Sequence, residues 1–289
     1  MSVANLSHPL PATWALLAVF AVTTFVTYAR VPPEDLYNVS REGVAGGASR
    51  VLVYLNFPVA FVAIGILLVC LEVLRERGER VLGFVGIALC AVAAVPGVLD
   101  QDDLDARAAN VVPTLGVAVA AALTARYTRD PDWTWARPAG RPRIALAVVF
   151  GLIAIPWLFA ETGFYGPGPI MSQEIPPGET EHAVHLGGHH GLYGVIMVLS
   201  ALMLSRVARR DVTSALLALL FAYGGTLAAE DFWHEQIQKR GTSDWTVPSA
   251  LSPGLKWVWL GVLLAAAAVE LLWFRPERRR ATPSAPAPR

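Results

Sequence analysis

Apolar residues fall along the chain in eight runs, 12–29, 51–73, 82–99, 110–126, 143–161, 185–206, 212–231 and 255–274, separated by polar connections. A helix needs roughly 20 mostly apolar residues to cross about 30 Å of hydrocarbon, and most of these runs are close to that length. Only a helix or a closed barrel satisfies its own backbone inside a bilayer, and runs this long are helical. The pattern therefore predicts an all-α, polytopic membrane helix bundle of about eight transmembrane helices. Residues 1–274 read as a single transmembrane domain, and 275–289, rich in Pro, Ala and Ser after a cluster of Arg, as a disordered cytoplasmic tail. The first run is long and has no basic stretch before it, so it reads as a retained span rather than a signal peptide. No internal repeat is evident, which argues against an inverted-repeat transporter.

Charge adds an orientation. Arg75, Arg77 and Arg80 follow the second run, and Arg126, Arg129, Arg137, Arg141 and Arg143 surround the end of the fourth. Arg206, Arg209 and Arg210 follow the sixth, and Arg275, Arg278, Arg279 and Arg280 the eighth. Intervening connections carry mostly acids, among them Glu34, Asp35, the Asp100–Asp105 cluster, Glu174, Glu179, Glu181 and Glu235. The excess of bases at alternate connections puts those ends, and both termini, in the cytoplasm. Composition agrees with a membrane protein: 54% hydrophobic, 16% charged and a mean hydropathy of +0.47, against about a quarter charged in soluble domains. Twenty-three bases balance twenty-three acids, sorted along the chain rather than mixed, and no nucleic-acid partner is expected. Lys239 and Lys256 are the only lysines, an Arg bias that fits a GC-rich bacterial genome and hence a bacterial plasma membrane.

Four of the six histidines lie between His182 and His190, at the expected outer mouth of the sixth run. If that segment is helical, His182, His185 and His189 share one side and His190 points away, because positions three and four apart stack along a helix. Such a pair offers two imidazoles to one metal, which then needs further ligands from another helix. His234 and Asp231, at the end of the seventh run, are the candidates, with Glu230 or Glu161 as catalytic base. The two cysteines, Cys70 and Cys90, sit in apolar runs and form no metal motif. Imidazole with carboxylate suits zinc, iron or copper. The run His185–His190 resembles one histidine box of the membrane desaturases, which use several such boxes on the cytoplasmic side; no family is assigned from it.

The remaining features read as architecture. The Asp100–Asp105 cluster lacks the Gly and closing Glu of an EF-hand and reads as a solvated loop. Tyr54, Asn56 and Thr114 place polar groups at membrane depth, facing the bundle interior either to line a cavity or to pack helices, and Pro58 is placed to open backbone carbonyls there. The expected function is a metal-dependent membrane enzyme, hydrolase or oxidase, with an extracytoplasmic site for a lipid-like or small amphipathic substrate. An ion, metal or proton transporter and a b-type haem protein, ligated by His185 or His189 with His234, stand as alternatives.

Overall fold

The computed structural model describes residues 8–99, 104–129, 133, 135–168, 171–251, 254 and 256–275. Asp100, Asp102, Asp103 and the tail from 276 onward lie outside the described residues. The chain is an all-α, multi-pass membrane bundle. Helix α1 runs from Pro9 to Arg30; His8 caps it, its Nδ1 accepting the Leu10 N–H at 3.3 Å. Helix α2 (Gly43–Tyr54) and α3 (Ala60–Val73) form one long span interrupted at Phe57, whose extended backbone precedes Pro58. Helices α4 (Arg77–Ala91) and α5 (Val111–Tyr127) follow. Helices α6 (Gly140–Ile153) and α7 (Ile155–Glu161) are bent by 55° to each other, with Pro156 in the first turn of α7. Helix α8 (His190–Leu204), α9 (Asp211–Trp233, continued by a wide turn to Gln238) and α10 (Trp257–Val269, continued to Phe274) complete the bundle.

Among the described residues, five helical segments are long and apolar enough to cross a bilayer alone, and six if the bent α6–α7 pair is one span. The difference from eight has two sources. Helix α4 spans only 15 residues and carries Arg77, Glu79 and Arg80 in its first turn. The run 185–206 is not one helix: α8 begins at His190 and has 15 residues, 12 of them buried. A helix buried all round is the centre of its bundle rather than a lipid-facing span. It packs against α1, α3, α6, α7 and α9, and it meets α9 where Gly194 and Gly224 let the backbones touch.

The two ends of the bundle differ chemically. At one end the arginine connections knit together: Arg137 N–H donates to the Arg206 carbonyl at 2.8 Å, Arg206 Nε to the Arg137 carbonyl at 2.7 Å, and the Arg209 and Arg210 amides to the Glu72 carboxylate. At the other end, Leu36 bridges Leu186, Asp105 accepts from the Ser40 amide at 3.0 Å, and Gly187 N–H donates to the Ala160 carbonyl at 3.0 Å. The alternation of charge along the sequence thus becomes two separate polar faces; five of the six histidines occupy the second, and His8 packs against Trp133 at the first.

Candidate functional site

The segment 182–189 is a folded loop, not the first turns of a helix. The expected one-sided helical array of His182, His185 and His189 is therefore replaced by a turn. Gly187, with φ of +105°, takes a conformation that a side chain resists, and a Cβ there would lie 2.4 Å from the Tyr28 hydroxyl. That turn carries Gly188 N–H onto the Tyr28 hydroxyl at 2.9 Å and leaves His189 extended as the N-cap of α8. His185 and His189 still meet, by stacking: their ring centroids are 4.2 Å apart and the planes 20° from parallel. Tyr37 covers the other face of His185 at 4.7 Å.

His189 is 3% exposed. Its Nδ1 faces the Gly187 carbonyl at 3.0 Å, which requires a proton on that nitrogen. Its Nε2 lies 3.1 Å from Glu235 Oε1, an ion-pair contact rather than a well-aligned hydrogen bond. Glu235, itself 2% exposed, accepts the Trp157 indole N–H at 2.5 Å through its other oxygen. Asp231, one turn earlier on α9, accepts the Gly191 amide at 2.7 Å. Burial works to lower the pKa of His189, but the Glu235 charge, backed by Asp231 and Glu161, outweighs it and the value is raised. His185 goes the opposite way. Burial, reinforced by the neighbouring His189, holds it well below the ordinary 6.5. Its Nδ1 faces the Leu186 carbonyl at 3.1 Å, so the neutral ring carries its proton there and keeps the Nε2 lone pair.

These side chains wall a cavity of about 410 Å³, completed by His190, His234, Glu181 and Lys239. Beneath it lies a layer of buried polar groups. Glu161, 1% exposed, accepts from the Thr24 hydroxyl and has its second oxygen unpartnered among the described residues. Arg50, 2% exposed, donates to the Tyr193 hydroxyl and lies over the rings of Tyr28 and Tyr193. No family model, curated protein or solved structure matches this chain.

Of the residues expected from sequence, His185, His189, Asp231 and His234 line the one cavity. His182 stands apart, stacked on Tyr165 at 3.8 Å with Nδ1 facing the Gln173 carbonyl. Glu230 accepts the Ala250 amide at 3.0 Å and holds a loop. Glu161 lies below the cavity rather than on its wall. Among the described residues no group of three or more His, Cys, Asp or Glu side chains is arranged to hold a metal ion. For a haem, His189 Nε2 is engaged by Glu235, a contact that competes with axial ligation.

Sequence reasoning passed over Glu235, Trp157 and Arg50. Glu235 is one turn beyond Asp231 and could have been placed on its face. Arg50 had a subtler signal, being a base at the edge of an apolar run in a set of connections dominated by acids. Nothing local marked Trp157.

Proposed function

We propose that this chain is a membrane enzyme that carries out acid–base chemistry on the polar head of a lipid-like or small amphipathic molecule held in the histidine cavity. The observation that carries the reading is the stacked pair His185–His189. Two like groups in contact whose pKa values are pushed apart, His185 down by burial and His189 up by the Glu235 charge, is the arrangement by which a site assigns a base and a fixed charge. His185 Nε2 accepts the proton; among the described residues no side chain reaches it. His189, locked to Glu235, keeps His185 neutral and presents positive charge to an anion forming beside it. Asp231, holding the Gly191 amide, and Trp157, holding Glu235, fix the geometry. The charge bias of the connections favours an extracytoplasmic position for this end, in a plasma membrane.

Transport is less well supported. Beyond Tyr193, α8 continues toward the arginine end through Val195, Ile196, Met197 and Val198, all buried and apolar, a turn without the ionisable groups a transport route uses near mid-membrane. A metal-dependent version of the same enzyme is the second reading. Both rings are turned with Nδ1 to a carbonyl, the tautomer that metal-ligating histidines adopt. Bound zinc, iron or copper would supply Lewis acidity or redox chemistry, with His185 and His189 as nitrogen donors after the Glu235 contact opens.

The test incubates protein in nanodiscs with a total bacterial lipid extract and follows each species by mass spectrometry, with metal content measured on the same sample. Consumption of one lipid class by wild type and not by His185→Gln supports the reading. Identical lipid profiles for the two would overturn it. Metal bound in stoichiometric amount and lost in His185→Gln would select the second reading.

A further inference from the structure

We propose that the arginine end carries a binding site for an anionic phospholipid, in a groove between α1, α6 and α8. The groove has a volume of about 350 Å³ and is walled by Leu16, Ile144, Leu199 and Leu202, with Arg143 and Arg206 at its polar end. Ile144 is 57% exposed, so the wall opens on the outside of the bundle, where acyl chains are the solvent. The two arginines are held in place by other contacts. Arg143 Nε donates to the Ser205 hydroxyl at 3.2 Å, and its guanidinium lies 4.8 Å from the Trp273 ring centroid. Arg206 Nε donates to the Arg137 carbonyl at 2.7 Å. Neither has a carboxylate within salt-bridge distance among the described residues. Among the described acids at this end, Glu76 and Glu79 pair with Arg126, Glu72 accepts the Arg209 and Arg210 amides, and Glu270 accepts the Ser214 hydroxyl.

Two neighbouring guanidiniums without a carboxylate partner among the described residues, at the head of an apolar groove, match a phosphate diester joined to acyl chains. Guanidinium forks suit phosphate oxygens, and basic pockets between transmembrane helices recognise anionic headgroups. Trp133 and Trp135 flank this end, packed on His8 and Arg209 respectively, at the level expected of interfacial aromatics. The site is separate from the histidine cavity and does not depend on its chemistry.

The test is native mass spectrometry of detergent-solubilised protein given equal amounts of phosphatidylglycerol and phosphatidylcholine with identical chains. Wild type should retain phosphatidylglycerol preferentially. Arg143→Gln with Arg206→Gln should lower that preference by up to about thirtyfold, each arginine being worth roughly fivefold at an anionic surface. Arg75→Gln with Arg77→Gln, which changes charge equally at the same end, should leave it in place. Ile144→Trp keeps both arginines, fills the groove and should also abolish retention; inorganic phosphate alone should not displace the lipid. Equal retention of both lipids by wild type, or an unchanged preference in the arginine or tryptophan variants, would overturn the proposal.

Discussion

Glu235→Gln isolates the interaction on which the histidine cavity depends. The side chain is 2% exposed, contacts His189 Nε2 at 3.1 Å and accepts the Trp157 indole at 2.5 Å. Glutamine keeps an acceptor for the indole and removes only the charge. Breaking a buried pair by deleting one partner costs about 3–5 kcal/mol when the remaining charge stays. His189 has an escape, because losing its proton makes it neutral, and this limits the expected loss to about 1–3 kcal/mol, comparable to one unsatisfied buried polar group. Glu235→Ala should cost more, since the Trp157 N–H is then orphaned as well. Reversible unfolding in mixed micelles, run on wild type, Glu235→Gln, His189→Gln and the double variant, gives the coupling directly. Groups in contact couple by about 0.5–3 kcal/mol, and the pair should fall within that range. Additivity within about 0.3 kcal/mol would show that the two side chains do not act as a pair and would refute the reasoning.

At the crossing of α8 and α9, Gly194→Ala should destabilise by about 1–3 kcal/mol, because its Cβ would meet the Gly224 carbonyl at 2.3 Å, whereas Gly225→Ala, with nothing nearer than Phe150 at 3.8 Å, should be tolerated; equal midpoints for the two variants would contradict the close crossing. The pH dependence should split by residue. The raised pKa of His189 gives stability that is complete below the ordinary 6.5 and lost as pH rises through the folded value, so the advantage of wild type over His189→Gln should shrink toward alkaline pH. The lowered pKa of His185 gives the reverse, an advantage over His185→Gln that shrinks as pH falls below 6.5, and parallel curves would argue against opposed charge states. An impermeant thiol reagent on intact cells should label Glu179→Cys and spare Gly78→Cys; the reverse pattern would place the histidine cavity on the cytoplasmic side.

Much of the architecture was legible because a bilayer leaves few options: apolar length gave most helices, and alternating arginine gave two chemically distinct ends that the fold keeps apart. Where each helix begins was less legible. The run 185–206 looks continuous in hydropathy, yet Gly187 at positive φ and the carbonyl contacts of His185 and His189 hold its first residues as a turn. Periodicity assumes a helix, so it grouped His182 with His185 and His189 when His182 packs on Tyr165 instead. It also chose Glu230 over Glu235, a choice decided by which face of α9 meets Trp157 across the bundle. Arg50 and Glu161 join the site from α2 and α7, and contacts across more than a hundred residues leave no local trace in a sequence.

The charge states of the two stacked imidazoles can be read directly by nitrogen-15 magnetic resonance of histidine-labelled protein in nanodiscs near neutral pH, with His185→Gln and His189→Gln used to assign the signals. His189 should have both ring nitrogens protonated and His185 only Nδ1. A neutral His189, or an imidazolium at His185, would contradict the assignment of base and fixed charge at this site.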